Sequence, residues 1–200
     1  MRSNFSYWFT DFAVKMLTFD SFIFKRLIRS RLQILKINSV LDIGCGTGTQ
    51  APLFSKSKYL GFDIDPGSIV YAKRLHSGYY FIVKDATDFR LNRKFDFILV
   101  VGVLHHLNDK EMAKSLSNMK RHLKTNGELL IIEAIPPLLK WNFIGLFLRS
   151  RDRGSYIRRL PKYKELIRKQ FEIDICKNVY GGFFDYAFIT CNHKKNKSTA

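Results

Sequence analysis

The sequence predicts an α/β protein built around a parallel β-sheet with helices on both faces. Two observations point to this fold class. Short apolar segments alternate with more polar, helix-compatible segments from about residue 38 onward, and alternating strands and helices form right-handed βαβ units. In addition, Phe95–Val101 is almost wholly apolar but too short for a buried helix. Such a segment is typical of a central strand covered on both faces.

Up to residue 133, the chain supplies five predicted strands and three predicted helices. The strands are Val40–Ile43, Tyr59–Phe62, Tyr79–Val83, Phe95–Val101 and Glu128–Ile132. Proline suits the first turn of a helix, Asn and Asp suit its N-cap, and glycine follows its last turn. On these signals we expect helices that begin near Thr49, run from Pro66 to about His76, and run from Asn108 or Asp109 to about Lys124, before Asn126-Gly127.

The pattern changes after Pro136-Pro137. The remaining predicted elements are an apolar helix Leu138–Leu148, a helix Pro161–Gln170, and strands Phe171–Cys176 and Asp185–Cys191 with a turn at Gly181-Gly182. We therefore divide the chain into a helical extension (residues 1–37), one domain (residues 38–192) that contains an insert or lid at residues 134–170, and a polar tail (residues 193–200) that we expect to be disordered.

The charge and cysteine content bound the function only loosely. The net charge of +17 attracts nucleic acid, acidic phospholipids or phosphorylated substrates, although a lysine-rich soluble surface explains it equally well. Three widely spaced cysteines without a CxxC pair indicate a reducing compartment and neither a disulfide framework nor a metal site. Charged residues interrupt the aromatic N-terminus, so we expect a cytoplasmic protein, with contact at the inner face of the membrane left open.

The segment after the first strand carries the most informative motif, because glycines fall at positions 44, 46 and 48. Closely spaced glycines at a strand end let the backbone approach a ligand without interference from side chains. The G-x-G-x-G spacing differs from the dinucleotide fingerprint G-x-G-x-x-G, and no Walker Gly-Lys-Ser/Thr follows. These differences argue against a nicotinamide-dependent oxidoreductase and against a P-loop enzyme.

Two aspartates accompany the glycine motif. Asp63 closes the second strand, where a carboxylate can hold two ribose hydroxyls, and Asp85 follows the third, where it can accept from an adenine amino group. Either aspartate alone would be read as a turn or cap residue. Together, at the carboxyl ends of successive strands, they predict a nucleoside-binding edge, although Asp65 could compete with Asp63 for the ribose.

Successive motifs between residues 38 and 133 resemble those of class I S-adenosylmethionine (SAM)-dependent methyltransferases. They are Val40–Gly48, Gly61–Pro66, Lys84–Ala86, Phe95–Leu107 with its Leu-His-His-Leu end, and Gly127–Glu133. The resemblance implies a Rossmann-like sheet of seven strands with an antiparallel last strand, for which Asp185–Cys191 is well placed. It implies SAM as the cofactor, S-adenosylhomocysteine (SAH) as the product, and methyl transfer to a small molecule.

The resemblance also implies residue roles. Asp42, Gly44 and Gly46 would flank the methionine portion, with Cys45 among the cofactor-binding residues, and Asp63 would bind the ribose. The adenine would lie against Ile64, with Asp85 and Ala86 at its edge, and the backbone near Val101 and Gly102 would receive the amino group.

The catalytic and acceptor-binding residues are less strongly indicated. A sulfonium methyl group is already activated, so that alignment of the acceptor can supply much of the rate. If a base is needed, His105 is the preferred candidate, with its neighbour His106, and Glu133 is the alternative. Arg151, Arg153 and Tyr156, in a basic stretch between the fifth and sixth strands, would bind the acceptor, which the arginines predict to be anionic.

Two alternatives stay open at this point. An RNA methyltransferase would suit the positive charge, but the sequence has no Asn/Asp-Pro-Pro-Tyr/Phe tetrad after the fourth strand and no appended RNA-binding module. A SAM-binding partner protein without catalytic activity would also retain the glycine motif. The sequence does not indicate the acceptor atom or the oligomeric state.

Overall fold

The computed structural model describes residues 20–138, 155–181 and 184–194. These residues form one seven-stranded sheet. In chain order the strands are β1 (Val40–Ile43), β2 (Tyr59–Asp63), β3 (Tyr80–Val83), β4 (Phe95–Val101), β5 (Leu123–Ile135), β6 (Phe171–Gly181) and β7 (Phe184–His193). The described helices are α1 (Asp20–Leu32), α2 (Pro66–Leu75), α3 (Asp109–His122) and α4 (Leu160–Arg168).

The sheet topology confirms the predicted fold class. The strand order is β3-β2-β1-β4-β5-β7-β6. Strands β1 to β5 pair in parallel, whereas β7 runs antiparallel to both β5 and β6. The strand order reverses between β1 and β4, which in open α/β sheets marks the crevice where ligands bind.

Two apolar cores, one on each face of the sheet, explain why the strands are so apolar. On one face, Met112 and Leu116 of α3 and Ile167 of α4 pack against strand residues that include Ile98. The other face is covered by α1 and α2, which contribute Ile28, Ile69 and Ala72 to the second core. Central strand β4 is therefore buried on both sides, as its composition predicts.

Two helix starts are fixed by side-chain caps. Asn108 Oδ1 accepts hydrogen bonds from the backbone N–H groups of Lys110 and Glu111, and the Glu111 carboxylate accepts from the Asn108 N–H. This capping box selects Asn108 over Asp109 as the start signal of α3. Asp65 is the N-cap of α2, and its carboxylate accepts from the Gly67 and Ser68 N–H groups at 3.1 and 3.2 Å.

The helix predicted near Thr49 is absent from the described structure. Two single 3-10 turns, Ala51–Leu53 and Lys56–Lys58, connect the glycine motif to β2 instead. Aromatic side chains occupy this face of the sheet, where the ring centroids of Phe54 and Tyr59 lie 5.8 Å apart and those of Tyr59 and Phe81 5.6 Å apart.

The end of α3 lies within two residues of the predicted end at about Lys124, but Asn126-Gly127 does not terminate the helix. The helix ends at His122, and Leu123 is already extended and paired with Phe95, so that β5 begins well before Glu128. Leu123 is completely buried, and burial of this side chain against the sheet outweighs the local helix-forming tendency. A Cβ on Gly127 would come within 3.0 Å of Asp96 O, so Gly127 serves a close backbone approach and does not terminate the helix.

Helix α1 packs on the sheet through Phe24, Ile28 and Arg31. Ile28 is fully buried, and the Phe24 ring meets Tyr186 edge-on at 4.8 Å. Arg31 forms a bidentate ion pair with Glu128 at the start of the parallel part of β5, and its side chain also lies 3.5 Å from Asp174. None of the helices in the described residues is both long and apolar enough to cross a membrane.

Replacing Arg31 with Met is expected to lower the free energy of unfolding by roughly 3 kcal/mol, because Glu128 would be left as a buried carboxylate without its partner. Adding Glu128→Gln to this variant should restore part of the loss. Chemical denaturation measures both effects, and Arg29→Met, at an exposed position of the same helix, is the control. Equal stability of Arg31→Met and Arg29→Met would show that the pair contributes nothing.

Candidate active site

The glycine motif forms a tight loop at the carboxyl end of β1. Gly44, Gly46 and Gly48 all have positive φ angles, of 68°, 51° and 78°, which favour glycine strongly. A Cβ on Gly44 would lie 2.3 Å from Val103 Cγ2, whereas a Cβ on Gly46 would have nothing within 4 Å. The loop is therefore closely packed against the segment after β4 on one side and open at Gly46.

Asp63 joins the end of β2 to this loop. Its Oδ2 accepts a hydrogen bond from Gly46 N–H at 2.8 Å, and its Oδ1 accepts from Asp65 N–H at 2.9 Å. Asp65, the competitor raised by the sequence, directs its own carboxylate at the first turn of α2 as the N-cap. The geometry thus places Asp63, and not Asp65, beside the glycine loop.

Asp85 lies at the same edge of the sheet as Asp63. Strand register pairs Asp63 with Val83, and Lys84 N–H donates to Asp63 O at 3.0 Å. Asp85 Oδ1 accepts from the N–H and the hydroxyl of Thr87, at 2.7 and 2.8 Å, in a turn that orients the carboxylate. Nearby, Ile64 exposes 66% of its surface, which is unusual for isoleucine and gives this edge an apolar face.

Asp42 lies deeper than the other predicted cofactor residues. It is only 2% exposed, and its Oδ2 accepts a 2.7 Å hydrogen bond from the Tyr59 hydroxyl. The pKa of Asp42 is raised to about 7, mainly by burial and to a smaller extent by the charge of Asp63, while the hydrogen bond from Tyr59 acts in the opposite direction. Nothing in the sequence singles out Tyr59, because the contact depends on packing between two strands.

Cys45 is buried between the loop and β2. Its N–H donates to Phe62 O at 2.9 Å, so the backbone of this residue anchors the loop to the neighbouring strand. Burial raises the pKa of the thiol well above its ordinary value. The thiol is therefore protonated at physiological pH, and Cys45 contributes through its backbone.

A short turn after β4, residues 103–107, carries the predicted catalytic histidines. Glu133, which has no exposed surface, accepts hydrogen bonds from Val103 and Leu104 N–H, both at 2.7 Å. Its other oxygen accepts from His105 N–H at 3.3 Å and lies 2.8 Å from His105 Nδ1. With four donors around it, Glu133 holds the turn in place, an arrangement that leaves little room for a role as a base.

The two histidines have different environments. His105 is 6% exposed, whereas His106 is exposed, and their ring centroids lie 4.1 Å apart. Gly102, with φ of 67°, precedes the turn, and a Cβ there would lie 3.7 Å from His105 Cε1. The N–H of Gly102 donates to Ile132 O at 2.9 Å, so this N–H is already used within the sheet. Val101, which ends β4, is half-buried.

The predicted acceptor-binding residues are described only in part. Arg151 and Arg153 lie outside the described residues. Tyr156 is 43% exposed, and its N–H donates to His105 O at 2.9 Å, so it borders the turn. Several cations of this basic stretch have partners within the protein: Arg158 binds Asp109, and Lys162 and Lys169 lie near Glu165. These pairs weaken the argument for an anionic acceptor.

A surface cavity of about 530 Å³ lies at the opposite end of the sheet, where β2 and β3 begin. Its lining includes Lys56, Tyr80, Leu91 and Arg93. Ligands of open α/β sheets bind beyond the carboxyl ends of the strands. We therefore place the candidate site at the glycine loop and assign this cavity no part in it.

The strand order, the glycine loop and the acidic residues at the ends of β2 and β3 have the arrangement expected of an α/β domain that binds a nucleotide at this edge. Residues 40–127 match the family model described as "Methyltransferase domain". This part of the chain is thus similar to methyltransferase domains, and its Rossmann-like fold is the one that the resemblance of the motifs to class I SAM-dependent methyltransferases implies.

Comparison with a solved structure supports the same fold. The chain is similar to the N-methyltransferase NodS from Bradyrhizobium japonicum WM9 in complex with SAH, with 18% sequence identity and a TM-score of 0.66. The match covers 85% of this chain and 85% of NodS.

Two curated relatives differ in their acceptors. The chain is 28% identical over 115 residues to dTDP-3-amino-3,4,6-trideoxy-alpha-D-glucopyranose N,N-dimethyltransferase from Streptomyces venezuelae, covering 52% of this chain and 45% of that protein. It is 37% identical over 108 residues to probable tRNA methyltransferase 9B of Mus musculus, covering 52% and 24%. The chain spans less than half the length of both relatives.

Replacing Asp42 with Asn should remove a pH dependence of stability. Because the folded-state pKa of about 7 exceeds the ordinary value of 3.8, the folded protein retains a proton that the unfolded chain releases between these values. The free energy of unfolding therefore falls as pH rises from about 4 to about 7. At pH 8, Asp42→Asn should be more stable than the wild type, by up to about 4 kcal/mol.

Denaturation curves at pH 5 and pH 8 measure this difference. Glu172→Gln, at an exposed position of β6, is the control and should follow the wild-type pH dependence. An Asp42→Asn variant that loses stability between pH 5 and pH 8 as steeply as the control would contradict the raised pKa.

Proposed function

We propose that this protein transfers a methyl group from SAM to a small-molecule acceptor. The observation that carries the proposal is the contact between Asp63 and Gly46 N–H at 2.8 Å. It brings the ribose-binding carboxylate to the open side of the glycine loop, in a domain of the class I methyltransferase fold. Cofactor binding and activity are proposals for this chain, because the matches cover less than half of each relative's own length.

The residues at this edge suit the parts of SAM. The open space beside Gly46 admits the methionine portion, and Asp63 can accept from the two ribose hydroxyls. The exposed face of Ile64 can cover the adenine, with Asp85 and Ala86 at the edge of the base. Carbonyl groups near Val101 and Gly102 can accept from the ammonium group, since the Gly102 N–H is already bonded within the sheet.

When bound, SAM supplies an electrophilic methyl group on a positively charged sulfur. The task of the protein is then to hold the acceptor in line with the bond that breaks. Such alignment can contribute about 7–11 kcal/mol toward the barrier. The rigid turn at residues 103–107, fixed by Glu133, is the part of the described structure best placed to provide it.

His105 is the proposed base for acceptors that must lose a proton. The 2.8 Å hydrogen bond between Nδ1 and the Glu133 carboxylate places the proton on Nδ1 and leaves a lone pair on Nε2. A buried carboxylate also stabilises the imidazolium that forms when Nε2 takes a proton, as in other carboxylate–histidine pairs. Exposed His106, whose ring lies beside that of His105, is a candidate contact for the acceptor.

A small-molecule acceptor is preferred over RNA for two reasons. The turn that borders the site, Gly102 to Leu107, is compact and offers histidines and the exposed ring of Tyr156, which suit a small organic molecule. In addition, the buried Arg158 is paired with Asp109, and Lys162 and Lys169 lie near Glu165. The net charge of +17 and the similarity to a tRNA methyltransferase support RNA as the second candidate.

The first test is SAH binding measured by calorimetry. The wild type should bind SAH and not NADH, and Asp63→Asn should bind SAH at least about tenfold more weakly, because charge-assisted bonds to the ribose are lost. Glu172→Gln, far from the site on β6, should bind as tightly as the wild type. Equal affinities for SAH in Asp63→Asn and the control would remove Asp63 from the site.

The second test identifies the class of acceptor. Purified protein, tritiated SAM and cell extract should yield label in the small-molecule fraction. Label confined to the RNA fraction, and lost after ribonuclease treatment, would overturn the small-molecule proposal in favour of the second candidate. SAH binding without transfer to any fraction would instead support a SAM-binding partner protein.

The same assay tests His105. His105→Gln keeps an N–H donor for Glu133 but removes the base, and it should slow transfer by about 100-fold for a hydroxyl acceptor. His106→Gln, at the exposed neighbour, should slow transfer much less. Transfer at the wild-type rate by His105→Gln would show that alignment alone suffices.

A further inference from the structure

Arg158 is a buried arginine that contacts the turn of residues 103–107. It is 8% exposed. Its Nη1 donates to Leu104 O at 3.0 Å, and its Nη2 donates to Leu107 O at 2.6 Å. The guanidinium therefore binds the backbone of the turn at both of its ends.

The same guanidinium connects the turn to two further elements. Nε and Nη2 both donate to Asp109 Oδ1, at 3.0 and 2.8 Å, at the first residue of α3. Nη1 also donates to Tyr156 O at 2.9 Å, within the segment that leads into α4. The donors of the guanidinium thus have acceptors within the protein, and the Asp109 carboxylate balances its positive charge. The hydrogen bond from Arg158 is also the main reason that the pKa of Asp109 is lowered. Arg158 is thus not presented to an anionic ligand.

The turn is held from two sides by groups far away in the sequence. Glu133 accepts from its N–H groups, whereas Arg158 and the N–H of Tyr156 donate to the carbonyl groups of Leu104, His105 and Leu107. Bonds within the turn are short-range ones, such as His106 N–H to Val103 O at 3.0 Å. An isolated turn of this kind has little stability of its own, so its shape depends on both partners.

We propose that Arg158 is a positioning residue, which fixes the turn of residues 103–107 and thereby the orientation of His105 relative to the cofactor edge. The inference rests on the proposed function of that edge. A planar guanidinium can bind three carbonyl groups and a carboxylate together, as Arg158 does here, whereas the ammonium of a lysine acts from a single point. Arg158 also ties the turn to the segment around Tyr156, so that the acceptor side and the histidines are held as one unit.

The test compares Arg158→Met and Arg158→Lys with Arg159→Met, the exposed neighbour. Hydrogen–deuterium exchange measures the amides of residues 103–107 against those of β1 and β4. Arg158→Met should speed exchange in the turn by about tenfold or more while the strands stay protected, and Arg158→Lys should lie between it and the wild type. Asp109→Asn removes only the carboxylate partner of Arg158 and should speed exchange in the turn by a smaller factor. This variant replaces Arg158→Met in the test if Arg158→Met does not fold.

Two further measurements separate positioning from a general loss of stability. In the methyl-transfer assay, Arg158→Met should lower kcat by about tenfold or more with the KM for SAM nearly unchanged, and calorimetry should show nearly wild-type SAH affinity. Arg159→Met should resemble the wild type throughout.

Unchanged exchange in the turn of Arg158→Met, or faster exchange spread equally over β1 and β4, would overturn the inference. A wild-type protein that fails to bind SAH would instead overturn the proposed function, and the exchange data would still report whether Arg158 fixes the turn.

Discussion

The candidate site depends first on the buried carboxylate of Glu133. It bonds Val103 and Leu104 N–H at 2.7 Å and His105 through its N–H and Nδ1. A carboxylate with no exposed surface is costly unless donors surround it, and buried N–H groups are costly unless they find an acceptor. The carboxylate supplies the acceptor that the N–H groups need, and the N–H groups supply the donors that the carboxylate needs. The turn after β4 and the end of β5 therefore have one favourable arrangement.

The other half of the site is fitted against this turn. Gly44 packs so closely on Val103 that a Cβ would lie 2.3 Å from its Cγ2, and Asp63 holds the opposite side of the loop through Gly46. A contiguous set of contacts therefore runs from Glu133 through Val103 and the glycine loop to Asp63. The groups proposed to bind the cofactor and those proposed to act on the acceptor share one rigid frame.

The sequence predicts the features that have a local signal. The apolar segments identify every strand, and Asn108, Asp63 and the glycines have types and spacings that indicate their places. The features it does not predict arise from contacts between distant residues. Leu123 is buried in a strand that begins earlier than the sequence indicates, and two 3-10 turns stand where a helix is expected near Thr49. Arg158 looks like one more surface cation in a basic segment, because its partners lie about fifty positions away.

The most direct test of the account is a crystal structure of the protein with SAH. It should show the ribose hydroxyls on Asp63, the adenine between Ile64 and the Asp85–Ala86 segment, and the turn still bound to Glu133. SAH bound elsewhere, for example in the cavity between Lys56 and Arg93, or bound at the sheet edge with Asp63 turned away from the ribose, would contradict it.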